Sequence, residues 1–312
     1  KLEGLPLSLT SSMVLETPLD DPDAPSDVSF AVLTRAGRDT LAEAPGRPPI
    51  SEPWRSGLAG ARALAQAWRD PQHPLRDRLG SLWIELDAQG PRGSVDLLFA
   101  RGAPLLSPAD AGWLVDEVAP RLGRALPGGP EALDAQLAAL PPSSALSYVG
   151  FAGGLRPPGW KICVEGLTAA SAADHARRLG WTGAKSAMSR AVTFLEDHVP
   201  HTVLQLGLDP ELSSRVGLEG YRPDGAWQNC LQALVEHGLA SPLRVEQVRA
   251  WTLDVPRADL SPALLLAERA TSRRVSFLRA VSHVKLSVDA SGELRAKAYL
   301  WAGLRWIGRG AA

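Results

Sequence analysis

Hydrophobic and polar residues alternate strictly along the last two extended segments of the chain, within Val281 to Trp306. In the first segment, residues 283–288, valine and leucine share one face while histidine, lysine and serine share the other. In the second, residues 294–301, leucine and alanine lie opposite arginine, lysine, tyrosine and tryptophan. Such alternation is typical of half-buried β-strands. We therefore predict a terminal hairpin with one apolar face and one basic, aromatic face.

Three earlier pairs of alternating segments have the same form and predict three further antiparallel hairpins. They cover residues 81–87 with 94–100, 147–151 with 160–167, and 201–208 with 215–221. Helical patterns lie between them at residues 58–69, from Ser107–Pro108, at 130–140, 171–179 and 185–198, after Asp224, and from Ser241–Pro242 and Ser261–Pro262. Helices between sequential hairpins must cover the apolar face of the sheet. The predicted fold class is α+β, in which four hairpin–helix units form an open sheet or a closed barrel.

The first 57 residues are punctuated by proline and glycine, and we predict that they form an N-terminal arm. Residues 13–15 and 28–33 are short apolar pieces that could each add an edge strand, and two added strands would allow a barrel to close. The segment Arg47 to Trp54 is predicted to be non-helical, because each of its prolines fixes φ and disfavours the α conformation before it. Residues 58–312 are predicted to form a single α+β domain.

The composition narrows the function classes. The chain has 312 residues, 45% hydrophobic and 21% charged, with a net charge of −1, so we expect a soluble protein with no nucleic-acid partner. No apolar run is long enough for a membrane span, and no signal-like segment opens the chain. Cys163 and Cys230 lie far apart and are expected to be structural thiols of a cytoplasmic protein.

Motifs that would fix a catalytic chemistry are absent from the sequence. It contains no phosphate-binding glycine loop, no dinucleotide-binding glycine motif, no Gly-x-Ser-x-Gly nucleophile and no His-Glu-x-x-His zinc motif. Glu196 to His201 holds two histidines and two carboxylates, but Pro200 breaks the helix that would align them on a metal ion. We therefore predict no catalytic residue, no metal and no cofactor.

The polar faces of the four hairpins supply the candidate ligand-binding residues. In a closed barrel these faces would line the lumen, and in an open sheet they would meet solvent or a ligand. On these polar faces, acidic residues cluster in the early hairpins and basic residues in the last one. This distribution suits a ligand with a polar or anionic end and an apolar or aromatic body. The candidates are Glu85, Lys161, Arg215, Tyr221, His283, Lys285, Arg295, Lys297, Tyr299 and Trp301.

The Arg295-x-Lys297-x-Tyr299 strand, together with the recurrent hairpin–helix units, resembles the barrel-type aromatic prenyltransferases. The resemblance implies that Arg, Lys and Tyr side chains hold an allylic diphosphate in a barrel lumen and shield an allyl cation. It also implies that Glu85 matches the family's acidic residue that engages the aromatic acceptor.

The last hairpin, Ser282-His-Val-Lys-Leu with Ala296-Lys-Ala-Tyr-Leu-Trp, also resembles the precursor-peptide-binding proteins of ribosomal-peptide pathways such as that for crocagin. That resemblance implies a non-catalytic protein that binds a precursor peptide during natural-product biosynthesis. Sheet edges can pair with an extended peptide, and unpaired edges also favour a homodimer. Because the sequence lacks catalytic motifs, we favour this interpretation and keep the prenyltransferase as the alternative.

Overall fold

The alternating segments form ten antiparallel β-strands. The computed structural model describes residues 12–33, 35–43, 52–86, 95–100, 116–122, 133–134, 137–152, 159–207, 215–252 and 274–307. The strands are β1 Ser12–Pro18, β2 Asp27–Val32, β3 Ser81–Leu86, β4 Val95–Ala100, β5 Ala145–Ala152, β6 Gly159–Leu167, β7 His201–Gly207, β8 Val216–Tyr221, β9 Arg274–Val288 and β10 Leu294–Ile307. Each strand pairs with its sequence neighbours, and β1 pairs with β10, so the sheet closes into a barrel.

Helices lie between the hairpins, as the sequence predicts. They are α1 Arg35–Glu43, α2 Glu52–Arg69, α3 Leu75–Arg78, α4 Ala169–Arg178, α5 Lys185–His198, α6 Trp227–Glu236 and α7 Pro242–Trp251, with a short 3-10 helix at Pro120–Leu122. The α+β class and the four predicted hairpins are confirmed. The helix starts expected at Ser107–Pro108 and Ser261–Pro262 lie outside the described residues. No helix in the described part of the chain is both long and apolar enough to cross a membrane.

The N-terminal segment takes a larger part in the barrel than an arm would. Strands β1 and β2 both lie within residues 1–57, and together they complete the closed ring. Arg244 of α7 holds their connection in place. Its guanidinium donates to the carbonyl oxygen of Pro18 at 2.9 Å and to that of Pro22 at 3.0 Å. Buried carbonyl groups need such partners, so the connection between β1 and β2 is fixed to the helical layer.

The prediction that Arg47 to Trp54 is non-helical is wrong at its end. Helix α2 begins at Glu52, so Pro53 lies in its first turn. The first four N–H groups of a helix have no partner within the helix, and a proline there removes a donor that is not needed. The proline rule used in the prediction holds for helix interiors but not for helix starts.

The outer face of the barrel packs against the helices and forms the hydrophobic core. On β9 and β10 the buried aliphatic residues are the alternating ones predicted, including Val284, Leu286 and Ala298, which are fully buried. The close approach of α5 to β8 requires a glycine at position 220. A Cβ there would lie 2.8 Å from Val199 and 2.9 Å from Leu195. The helices therefore cover the apolar face, and the polar faces of the strands whose side chains the structure describes turn into the lumen.

Candidate functional site: the barrel lumen

The lumen gathers the lysines and tyrosines of the chain. The sequence contains three tyrosines, Tyr148, Tyr221 and Tyr299, and all three lie on the inward faces of their strands. It contains only five lysines against 28 arginines, and three of those lysines lie on inward faces. These are Lys161, Lys285 and Lys297. Because tyrosine and lysine are otherwise so rare here, their concentration in one place marks the lumen as the candidate site.

A stack of three rings spans the middle of the lumen. His283 lies between Tyr221 and Tyr299, with ring centroids 4.5 and 4.0 Å apart and interplanar angles of 25° and 16°. Tyr221 donates a 3.0 Å hydrogen bond to Glu219, and the Nε2 of His283 lies 3.8 Å from the same carboxylate. Burial lowers the pKa of His283 to about 4, more than the nearby Glu219 raises it. The imidazole is therefore neutral near pH 7, and all three stacked rings are uncharged.

Glu16 anchors one side of this stack. Its carboxylate accepts a hydrogen bond from the Lys297 ammonium, and its other oxygen accepts one of 2.6 Å from the Tyr299 hydroxyl. Burial by itself raises the pKa of Glu16, but the charges of Lys297 and Lys285 and the two hydrogen bonds outweigh it and hold the pKa well below its ordinary value. Burial and the adjacent carboxylate raise the pKa of Tyr299 well above 10. Glu16 is thus ionised while Tyr299 keeps its proton.

Lys285 reaches over strand β8, from β9 to β7. Its ammonium donates to the side-chain oxygen of Gln205 and lies 4.0 Å from Glu219. Gly217, on the intervening strand β8, makes this crossing possible, because a Cβ there would lie 2.6 Å from the Lys285 Cε. Cys163 lies next to Gln205, and burial, ahead of the charge of Glu219, raises the pKa of its thiol to about 12. Cys163 is accordingly a neutral wall residue, as a structural thiol would be.

Three carboxylates face one another on β1, β2 and β3. One oxygen each of Glu16, Asp27 and Glu85 lies within 4.8 Å of the others. Carboxylate oxygens at this spacing are suitable ligands for a hard divalent cation, and these are the residues that could hold one. Lys297 already neutralises Glu16, so the arrangement equally suits a cationic or hydrogen-bond-donating group of a ligand. The early acidic and late basic residues thus lie side by side around one lumen, because β1 pairs with β10.

Not every predicted site residue joins this cluster. Arg295 is exposed and forms an ion pair with Glu293 at 2.8 Å beside the β9–β10 turn. Arg215 is also exposed, just before β8. Trp301 faces inward, where its indole N–H donates to Ser12 at 2.7 Å. The remaining candidates, Glu85, Lys161, Tyr221, His283, Lys285, Lys297 and Tyr299, line the lumen.

Among the described lumen residues, Glu16, Asp27 and Tyr148 are ones that sequence reasoning missed. The alternation of Ser12, Val14 and Glu16 in β1 is a usable signal, but the prolines around this segment favour an arm. Tyr148 had a weaker signal, because a register shift between Leu146 and Tyr148 is what places its side chain opposite Cys163. A bulge of this kind changes which face a residue occupies, and alternation alone does not reveal it.

A cavity of about 960 Å³ opens at one end of the barrel. This end, which we call the mouth, is formed where β5 and β7 begin and where β6 and β8 end. The lumen residues Tyr148, Tyr221 and Val203 form the inner part of the cavity, and the ends of α4 and α5 form its rim. Ligand pockets in proteins have volumes of roughly 300–1,000 Å³, so a small organic molecule fits here.

The closed ten-stranded antiparallel barrel covered by helices is a fold that this chain shares with solved structures of a prenyltransferase. Searches against known proteins agree at the level of fold. No family model matches the chain, and no curated protein is significantly similar to it in sequence. Solved structures do match it, and their likeness shows the fold.

Two matching structures are those of the prenyltransferase PriB. The apo form has 17% sequence identity, a TM-score of 0.55, and coverage of 96% of this chain and 83% of PriB. The binary complex of PriB with product diphosphate has 16% identity, a TM-score of 0.53 and the same coverage. AnaPT from Neosartorya fischeri matches at 14% identity and a TM-score of 0.50, over 95% of this chain and 78% of that one.

These matches bear on the two resemblances differently. The layout of a barrel-type prenyltransferase is confirmed as a fold, whereas the resemblance to precursor-peptide-binding proteins is not confirmed. Each of the ten strands has a neighbour on both sides, but residues 274–282 of β9 pair with β10 alone. A peptide partner, a homodimer and a cytoplasmic location stay predictions.

Proposed function

We propose that this protein binds an allylic diphosphate in the barrel lumen and transfers its allyl group to an aromatic acceptor. The observation that carries the proposal is the convergence of three lysines and three tyrosines in the lumen of a barrel with the aromatic prenyltransferase fold. Lysine ammonium groups are donors to diphosphate oxygens. Tyrosine rings, whose hydroxyls stay protonated here, can stabilise a developing carbocation by their π faces.

The diphosphate binds among Lys161, Lys285 and Lys297. In the described lumen Lys297 is paired with Glu16 and Lys285 with Gln205. A diphosphate carries more negative charge than either partner, so it competes for both lysines. Their charges also stabilise the diphosphate as it leaves, which lowers the barrier to breaking the carbon–oxygen bond.

The allyl cation then forms next to Tyr299 and Tyr221. An aromatic carbon of the acceptor attacks the cation, a carbon–carbon bond forms, and the acceptor must lose a proton to become aromatic again. Glu16 can take this proton. When Lys297 turns to the diphosphate, Glu16 loses the nearest of the charges that hold its pKa low, so its carboxylate becomes a stronger base. The resemblance assigns Glu85, which lies beside Glu16, to hold the acceptor.

A transfer assay tests the proposal. The protein is incubated with dimethylallyl diphosphate and indole, tryptophan or a dihydroxynaphthalene, with and without a chelator. Diphosphate release and a mass gain of one dimethylallyl group are measured together. We expect Lys285→Met to lower the rate by roughly tenfold to a hundredfold, because it removes one charge-assisted contact to the leaving group.

Lys185→Met is the matched control, since Lys185 is exposed at the start of α5. It should leave the rate unchanged. Absence of both diphosphate release and adduct with every acceptor would contradict the proposed reaction.

A further inference from the structure

The mouth cavity is lined by acidic and aromatic residues. Its charged or titratable lining consists of Glu165, Glu196, His201, Tyr148 and Tyr221. No lysine or arginine is among its described lining residues. This composition contrasts with the inner lumen, where Lys285 and Lys297 are placed. The cavity therefore disfavours a diphosphate and favours a positive charge.

Glu165 is the residue on which the charge preference depends. It lies at the end of β6, partly buried, and burial raises the pKa of its carboxyl group. No cationic side chain in the described part of the chain forms an ion pair with it. Burial is the main cause that raises the pKa of the Tyr148 hydroxyl, and the charge of the nearby Glu165 adds to it. A partly buried carboxylate without a cation, next to an aromatic ring, is a suitable partner for an ammonium group.

The helix ends at the rim do not reverse this preference. Helix α4 begins at the rim, and its free N–H groups are partly satisfied by the capping box of Thr168 and Ser171. Helix α5 ends at the same rim, so its negative dipole end opposes the positive end of α4. The apolar lining residues Leu167, Val199 and Val203 add a surface for a hydrocarbon body.

We propose that the mouth cavity is a binding site for an amine-bearing aromatic molecule, whose ammonium group pairs with Glu165 and whose ring contacts Tyr148 and Tyr221. That this molecule is the acceptor of the allyl group rests on the proposed function. The cation site itself rests on the cavity alone. The position of Tyr221, which belongs to both the cavity and the central ring stack, joins the two sites.

Three probes of similar shape and different charge test this site without any diphosphate. Calorimetry at pH 8, above the ordinary titration range of imidazole, compares phenethylamine, phenethyl alcohol and phenylacetate. We expect phenethylamine to bind about tenfold more tightly than the alcohol, and phenylacetate to bind most weakly. In Glu165→Gln the advantage of the amine disappears, while the affinity for the alcohol is unchanged.

Two further variants complete the experiment. Glu196→Gln, at the exposed rim, should weaken phenethylamine binding by about twofold to threefold, because solvent screens an exposed charge. Glu246 on α7 is exposed and is not among the cavity's lining residues, so Glu246→Gln should have no effect. Circular dichroism confirms that each variant is folded. If Glu165→Gln does not fold, the binding of the three probes to the wild type and to Glu196→Gln decides whether the cavity prefers a cation.

Equal affinities for amine and alcohol in the wild type, or an amine preference that survives in Glu165→Gln, would overturn the cation site. Absence of binding by all three probes would overturn it too. Because no allylic diphosphate is used, this outcome is separate from the transfer reaction. Amine binding without allyl transfer would keep the cavity site and reject only the proposed reaction.

Discussion

The two faces of strands β9 and β10 lie one residue apart in sequence and differ in what they contribute. The outer face consists of aliphatic residues such as Leu286, which is fully buried under the helices. The inner face consists of His283, Lys285, Lys297 and Tyr299, each held by a specific hydrogen bond, ion pair or ring contact. The difference teaches that the outer face contributes to stability alone, whereas the inner face contributes to ligand binding as well as to stability. Outer substitutions should change folding alone, whereas inner ones should also change binding.

The largest expected effect is on the outer face. Leu286→Ala removes a fully buried side chain and leaves a cavity, so it should lower the free energy of unfolding by about 2–5 kcal/mol. Urea denaturation measures this value. Leu243→Ala is the control, because Leu243 is 54% exposed, and it should change stability by less than about 0.5 kcal/mol. A change in ligand affinity of folded Leu286→Ala would break the separation between the two faces.

The Glu16–Lys297 pair is the inner-face position with the largest expected effect on stability. Lys297→Met leaves the Glu16 carboxylate buried without its main cation and should cost about 2 kcal/mol, less than a fully buried pair because Lys297 is 31% exposed. The double variant Glu16→Leu with Lys297→Met should return close to wild-type stability. A double-mutant cycle in urea tests this coupling, and strictly additive losses would contradict the ion pair.

The buried His283 predicts a pH dependence of stability. Its pKa is lowered from 6.5 to about 4 in the folded protein, so the unfolded chain binds a proton first as the pH falls. Stability is therefore lost progressively between pH 6.5 and pH 4, by about 1–3 kcal/mol. His283→Phe keeps a ring between the two tyrosines and should remove this part of the loss. Parallel pH profiles for the variant and the wild type would show that His283 is not the titrating group.

The smallest expected effect concerns the glycine that admits Lys285. Gly217→Ala places a methyl group 2.6 Å from the Lys285 Cε, and the flexible lysine can move away. Stability should change by less than about 1 kcal/mol, because only a side-chain end is displaced. Affinity for an allylic diphosphate should fall several-fold, because the ammonium leaves its position beside Gln205. Calorimetry on Gly217→Ala that showed unchanged affinity would remove Lys285 from the binding site.

Much of the fold could be predicted because it is local in the sequence. Alternation placed all four hairpins, and Ser241–Pro242 marked the start of α7. Closure of the barrel is harder to predict, because it depends on β1 pairing with β10, which is distant in sequence, and β1 lies in a proline-rich part of the chain. Helix α2 was misplaced at its start for a related reason. The same residue type, proline, has opposite meanings at the start and in the interior of a helix.

The candidate site could be predicted only in part. Lys285, Lys297, Tyr299 and His283 follow directly from the alternation in one hairpin. Their partners do not, since Glu16 meets Lys297 across 281 residues of sequence. Arg295 belongs to the same alternating face but is drawn to Glu293 at the turn. Alternation therefore assigns a face to a residue, while the tertiary structure decides which ion pair it forms.

Binding of an allylic diphosphate analogue is the most direct test of the central claim that the lysine-rich lumen is the diphosphate site. Dimethylallyl S-thiolodiphosphate, which does not transfer its allyl group readily, is titrated calorimetrically into the wild type, Lys285→Met, Lys297→Met and the exposed control Lys185→Met. The account predicts saturable binding that each lumen substitution weakens by about tenfold or more and that Lys185→Met leaves unchanged. No binding, or binding that all three variants retain equally, would contradict it.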